Sequence, residues 1–363
     1  MEKEKLSSVK HLEGTPLYCE KYKEESKLNY VMHARRECPF YNSNNPIKVE
    51  KTNDLRNKLN GGLFGFCIGD ALGVPVEFSS REERQMDPVN EMRAYGTHHQ
   101  PFGTWSDDTS LMLCLIEAIN HGYSIKSVAD NFVKYYTKGY LTPYGEVFDI
   151  GISTRIAIEK LHAGINPIEC GGKAESDNGN GSLMRILPLA FYGRNMNAGD
   201  LIKMIEEVSA LTHAHKRSKL ACIFYTVYAI QIISGNNKKD AYEITINFIT
   251  DNCSEKYSDE FGNYKSILSR EVLKYNVSQI KSSGYVIDTL EAVLWSFLIS
   301  DNYKDAVLKA VNLGGDTDTI AAIAGGLAGI YYGFDSIPDK WVQGIVRKEE
   351  LYDIFTQFSS LLE

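Results

Sequence analysis

The chain has 363 residues, room for one large domain or two ordinary ones around a sizeable core. Its 39 Lys+Arg stand against 47 Asp+Glu, and the net charge of −8 argues against the broad basic surface that nucleic acid requires. Apolar residues are scattered in short runs, well below the ~18 consecutive positions of a membrane span, and the start MEKEKLSSVK has no apolar signal core. These features predict a soluble, cytoplasmic protein with neither nucleic acid nor a membrane as partner. Seven cysteines (19, 38, 67, 114, 170, 222 and 253) are odd in number and form no Cys-x-x-Cys, which predicts reduced thiols rather than disulfides or a zinc site.

In chain order, residues 1–53 form an extension of their own character. Lys and Glu are interspersed there with Tyr18, Tyr22, Tyr30, Phe40 and Tyr41, and the turn formers Asn42–Pro46 follow. So few aliphatic residues predict a tail that does not fold alone; the aromatics with Arg35 and Arg36 equally suit an arm that grips a protein partner. Beyond it, Gly61, Gly65, Gly69 and Gly73 fall four apart, a stripe along one helix face where a neighbouring backbone can approach closely. Helical spacing returns at Ile125, Val128, Ala129, Phe132 and Tyr136, twice between Leu201 and Ile233, and at Ile287, Leu290, Leu294, Phe297 and Leu298. A second small-residue stripe, Ala321, Ala324, Gly325, Ala328 and Gly329, follows the helical stretch Ala306–Val311. No pair of alternating runs asks for a hairpin, so residues 54–363 are expected to be one all-α domain.

Two strings carry the chemistry. Gly103-Thr104-Trp105-Ser106-Asp107-Asp108-Thr109 and Gly314-Gly315-Asp316-Thr317-Asp318-Thr319 each end a loop and open a helix. Taken singly, each is explained by N-capping, because Asp, Ser and Thr satisfy first-turn N–H groups. Together, four carboxylates and four hydroxyls with no His or Cys nearby form an all-oxygen set. Such a set suits Mg²⁺ or Mn²⁺, and paired Asp residues suit two ions sharing bridging carboxylates. An EF-hand loop from Asp316 is excluded, since Ile320, Ala321 and Leu327 occupy the third-ligand, Gly and closing-Glu positions. An Asp-x-Asp phosphatase nucleophile would need a strand before it, where Ala306–Val311 reads helical.

These strings, in order with four others, resemble the ADP-ribosylglycohydrolases. The others are Gly61-Gly62-Leu63-Phe64-Gly65 with Gly69-Asp70-Ala71-Leu72-Gly73 and Glu77; Phe148-Asp149-Ile150-Gly151 with Thr154; Asn180-Gly181-Ser182-Leu183-Met184-Arg185; and Thr212-His213. The resemblance spans about residues 55–335. It implies a single compact, orthogonal multi-helix domain with two Mg²⁺ or Mn²⁺ ions, held by Ser106, Asp107, Asp108, Asp316, Asp318 and Thr319. It implies catalytic roles for Glu77 and Asp149, though Glu77 alone reads as a solvated residue after a Pro turn and Asp149 alone as a cap for a helix Ser153–His162.

Asn180, Gly181 and Ser182 are implied to cradle the substrate diphosphate, with backbone N–H groups at a helix start favouring the anion, and His213 to lie near the ribose. Asp177 departs from the family pattern, and its carboxylate would repel a diphosphate unless turned away. His215 and the pair His98-His99 have no family counterpart and read as ordinary surface or packing residues. The implied activity is hydrolysis of the bond between ADP-ribose and arginine on a modified protein. Some bacterial relatives resemble immunity proteins against ADP-ribosyltransferase toxins, so the 1–53 arm is expected to bind such a toxin, either beside the enzyme's activity or as the main route by occluding the toxin active site.

Overall fold

The glycine stripe predicted from the sequence becomes the spine of the structure. The computed structural model describes residues 52–362, so the extension expected over 1–53, with Cys19 and Cys38, lies outside the described residues apart from its last two positions. Those two already belong to α1 (Thr52–Gly73), which runs straight into a 3₁₀ turn, Val74–Val76. After α2 (Arg81–Met86) come α3 (Asp107–Asn120), α4 (Ile125–Lys138) and α5 (Ile152–His162). Then follow α6 (Pro188–Tyr192), α7 (Ala198–Ala210), α8 (Lys216–Ile233), α9 (Lys238–Tyr257) and the single turn α10 (Lys265–Leu268). The C-terminal third holds α11 (Val286–Leu298), α12 (Tyr303–Val311), α13 (Thr317–Tyr332), α14 (Asp339–Gly344) and α15 (Lys348–Leu362). Among the described residues there is no strand, only three isolated bridges, so the all-α expectation holds.

Helix α13 is buried without a break from Thr317 to Ile330, and α12, α11, α8 and α3 pack around it. A helix apolar on every side belongs in the middle of a core. Against it α1 lies antiparallel, glycine to small residue. A Cβ added to Gly61, Gly65 or Gly69 would stand 2.2, 2.6 and 2.2 Å from the carbonyl oxygens of Gly329, Gly325 and Ala321. The two stripes therefore face each other with backbones in contact. By length and composition alone α1 is apolar enough to cross a membrane, but 94% of its apolar window is buried inside the protein. The sequence shows no long apolar run there because Gly61, Gly62, Gly65, Gly69 and Asp70 interrupt it.

Outer helices follow the expected amphipathic pattern. In α4, Val128, Ala129, Phe132 and Tyr135 are buried, Ser124 caps the start with a capping box, and Gly139 at φ 61° ends it. The five described cysteines, Cys67, Cys114, Cys170, Cys222 and Cys253, are free and buried, as expected of reduced thiols.

Candidate active site

The first acidic corner is built on α1. Asp70, fully buried one turn before the end of that helix, accepts hydrogen bonds from Ser106 N (2.9 and 3.1 Å), Thr109 N (3.1 Å) and Thr109 Oγ1 (2.6 Å). This carboxylate pins the loop that opens α3. Ser106 caps the helix, its Oγ accepting from Asp108 N at 3.2 Å and donating to Asp108 Oδ2 at 3.2 Å. Asp107 and Asp108 are thereby held in the first turn of α3, both buried.

The second corner opens α13. Gly314 and Gly315 adopt φ of 74° and 72°, a left-handed pair that residues with a Cβ rarely enter. The turn lets Gly315 N donate to Ser79 O (2.8 Å) and accept, through its carbonyl, from Phe78 N (2.7 Å), which brings Glu77 alongside. Asp316 stands at the N-cap position, yet its side chain makes no capping bond; Oδ2 instead accepts from Asn180 Nδ2 at 2.7 Å. The capping explanation thus applies to Ser106 and not to Asp316. Asp318 Oδ1 accepts from Thr319 N (2.8 Å).

The two corners meet. Thr319 Oγ1 donates to Asp108 Oδ2 at 3.3 Å across 211 positions of sequence. Carboxylate oxygens of Glu77, Asp316 and Asp318 lie within 4.8 Å of one another. Glu77 and Asp316 border a cleft of about 300 Å³ whose lining also includes Asp107, Asp108, Asp149, Asn180, Gly181, His213 and Thr319. Three residues expected at the site do not face this cleft. Ser106 is engaged in its cap, Asp318 lies beneath, and Ser182 Oγ is fully buried, accepting from Ser209 Oγ (3.0 Å) and Cys222 Sγ (3.4 Å).

Electrostatically the cluster is unbalanced. Among the described residues lining the cleft there is no Lys or Arg. Burial, then repulsion from neighbouring carboxylates, pushes Asp107, Asp108 and Asp318 well above the usual carboxylate range. The same two causes push Glu77 up to about 8 and Asp149 up to about 7. Buried Asp108 Oδ1, Asp316 Oδ1 and Asp318 Oδ2 have no hydrogen-bond partner. Unpaired buried carboxylate oxygens are costly, and hard cations relieve that cost. The donor set therefore fits Mg²⁺ or Mn²⁺.

Several expectations are corrected by the geometry. No helix begins behind Asn178–Ser182; a three-residue 3₁₀ turn, Leu183–Arg185, stands there, so a helix N-terminus does not favour the diphosphate. Arg185, fully buried, holds the loop from beneath through Gly181 O and through Val208 O at 3.2 Å. Asn180 spends both side-chain N–H groups on Asp316 and on Thr289 Oγ1 (2.9 Å), tying the loop to the second corner. Asp177 turns its carboxylate back to Ala174 N (2.9 Å) and does not line the cleft. Asp149 caps nothing: Gly151 is the N-cap of α5, and Asp149 sits at φ 56°, facing the cleft.

The histidines divide. His213 is buried with Nδ1 2.8 Å from Thr212 Oγ1, and burial lowers its pKa to about 3, so its ring is neutral. His215 is an N-cap, accepting from Arg217 N at 3.1 Å, and His99 is exposed, both ordinary roles as expected. His98 is not ordinary: Nε2 lies 2.5 Å from Glu77 Oε2 and 3.7 Å from Asp149 Oδ1. Sequence reading missed this residue, and it missed Asp70 as the tie beneath the first corner.

An all-helical domain thus gathers buried carboxylates from two helix starts at one cleft. The ADP-ribosylglycohydrolase family model matches residues 51–362, and the chain belongs to that family of hydrolases. Similar proteins include the ADP-ribosylarginine hydrolase Tri1 of Serratia proteamaculans, 32% identical over 86% of this chain and 81% of that protein. Tri1 of Pseudomonas putida is 33% identical over 84% of this chain and 80% of that protein. The ADP-ribosyl-[dinitrogen reductase] glycohydrolase of Rhodospirillum rubrum is 29% identical over 83% and 94%. A solved ADP-ribosylglycohydrolase-related protein complex superposes with a TM-score of 0.68 at 27% identity, covering 86% of this chain and 100% of that one.

Proposed function

We propose that the chain is a divalent-cation-dependent ADP-ribosylarginine hydrolase that acts on modified protein in the cytoplasm. The observation that carries this reading is the uncompensated carboxylate cluster at a cleft bordered by two further acids, Glu77 and Asp149. Two Mg²⁺ or Mn²⁺ ions, held by Ser106, Asp107, Asp108, Asp316, Asp318 and Thr319, would supply Lewis acidity toward the vicinal hydroxyls of a ribose. Glu77 and Asp149 hold and move the protons. Water oxygen bonds to the anomeric carbon as the bond to the guanidine nitrogen breaks; one carboxylate takes a proton from the water and a carboxylic acid gives one to the leaving nitrogen. In the cation-free cleft, burial and then repulsion from neighbouring carboxylates push Glu77 up to about 8 and Asp149 up to about 7. Neutral His213, Gly181 and Asn180 form the wall against which the rest of the ADP-ribose lies.

A direct assay tests this. Full-length protein should release ADP-ribose from an arginine-linked substrate, lose that activity in EDTA and regain it with Mg²⁺ or Mn²⁺, and turn over serine-linked substrate more slowly. Affinity for ADP-ribose without release would make the chain a binding module instead. For residues 1–53 the proposed role is an arm that grips an ADP-ribosyltransferase toxin, supported by the five aromatics and two arginines of the sequence. In a catalytically dead background, deletion of residues 1–50 should abolish protection from the toxin; unchanged protection would remove the arm.

A further inference from the structure

Glu77 and Asp149 share a neighbour that the acidic strings do not account for. His98, its side chain 15% exposed, places Nε2 at 2.5 Å from Glu77 Oε2 and 3.7 Å from Asp149 Oδ1. Its ring is wedged between Phe78 and Phe148, centroids 6.0 and 5.6 Å away. The segment is fastened by design rather than by chance packing. Thr97 Oγ1 donates to Glu77 O at 2.7 Å, and Gly96 presses so closely on Pro75 that a Cβ would stand 1.8 Å from its carbonyl oxygen. Tyr95 and His99, in the same short segment, adopt φ of 65° and 53°; Phe78 and Asp149, beside the ring, adopt 62° and 56°. Four side-chain-bearing residues in the left-handed region, two in this segment and two beside its ring, are costly, and such strain persists only where the surroundings impose it.

We propose that His98 is a positioning residue for the hydrolysis: through Nε2–H it fixes the Glu77 carboxylate toward the cleft and beside Asp149, so that the two acids meet the reacting sugar in one geometry. The inference rests on the hydrolase reading above and adds a residue to it. Preorganised placement of proton-transfer groups acts mainly on kcat, since a freely rotating Glu77 would still admit substrate.

Two substitutions separate the bond from the packing. His98→Phe keeps a ring between Phe78 and Phe148 and removes the N–H; His98→Gln removes the ring and keeps an N–H of similar reach. Full-length proteins are assayed on whichever linkage, arginine or serine, the wild type cleaves, so a wrong linkage assignment does not obscure the comparison. His98→Phe should lower kcat by about thirtyfold with KM within about twofold, while His98→Gln should stay within about threefold of wild type. Wild-type kcat in His98→Phe would overturn the proposal in favour of packing. So would a His98→Gln protein as impaired as His98→Phe. Restoration of His98→Phe by raised Mn²⁺ would make the residue a cation ligand and likewise overturn it.

Discussion

Asp316→Asn and Asp107→Asn proteins are expected to fold, to lose hydrolysis by about a thousandfold or more, and to melt at a higher temperature than wild type when divalent cations are chelated. Both acids line the cleft, and Asp316 faces Asn180 through an oxygen that asparagine retains, so the wall is preserved while a charge is removed. The cluster is repulsive in the absence of a counter-charge, and neutralising a member removes like-charge and desolvation cost. The same physics fixes a pH dependence. An acid with a raised folded-state pKa binds more protons folded than unfolded between the unfolded value near about 4 and the folded value. Stability of the chelated wild type should therefore fall as pH rises through that window, up to about 8 where Glu77 ionises. Mg²⁺ should flatten the slope and raise the melting temperature, by about 2.7 kcal/mol of stability at a hundredfold excess over Kd. Differential scanning calorimetry at pH 5 and 8, with EDTA or with Mg²⁺, reads all of this. Full activity in either variant, or a melting temperature indifferent to both pH and cation, would remove the carboxylates from the chemistry.

Gly69→Ala should strongly destabilise the fold. At an exposed helical position the change gains about 1 kcal/mol of helix propensity. Here the new methyl would lie 2.2 Å from Ala321 O and 2.6 Å from Ala321 C, backbone atoms that cannot turn aside. A loss on the order of 3 kcal/mol follows as α1 and α13 are forced apart. Activity should fall with it, because Asp70 is the next residue of α1 and Asp318 stands near the start of α13. Gly199→Ala is the control: it lies exposed in the first turn of α7, where an added Cβ meets nothing nearer than Asn197 Oδ1 at 3.5 Å, and urea unfolding should find it at least as stable as wild type.

What was legible in the sequence follows a physical divide. Helices with a buried face, such as Val128, Ala129 and Phe132, repeat at a period that composition alone displays, and both small-residue stripes are readable for the same reason. Asp107, Asp108, Asp316 and Asp318 were legible because each string carries more acids and hydroxyls than a single cap uses, and the two together make an all-oxygen set. His98 was not, for it comes from a three-residue 3₁₀ turn, Gly96–His98, and owes its role to partners 21 and 51 positions away. Neither spacing nor residue type marks such a meeting. Asp70 was hidden by its surroundings: inside an apolar helix it reads as an exception, and only Ser106 and Thr109 reveal its work. The turn at Leu183–Arg185 looked like a helix start because the residues that favour both are the same.

The mating of Gly61 with Gly329 also constrains how the chain is made. Synthesis runs from the amino end, and α1 leaves the ribosome roughly 10–50 s before its partner at about 5–20 residues per second. Through that interval a glycine-rich, apolar segment long enough to span a bilayer has no backbone to lie against. Nascent chains are therefore expected to need that segment shielded until α13 emerges, and a chain truncated ahead of Thr317 is expected to leave α1 without its partner backbone.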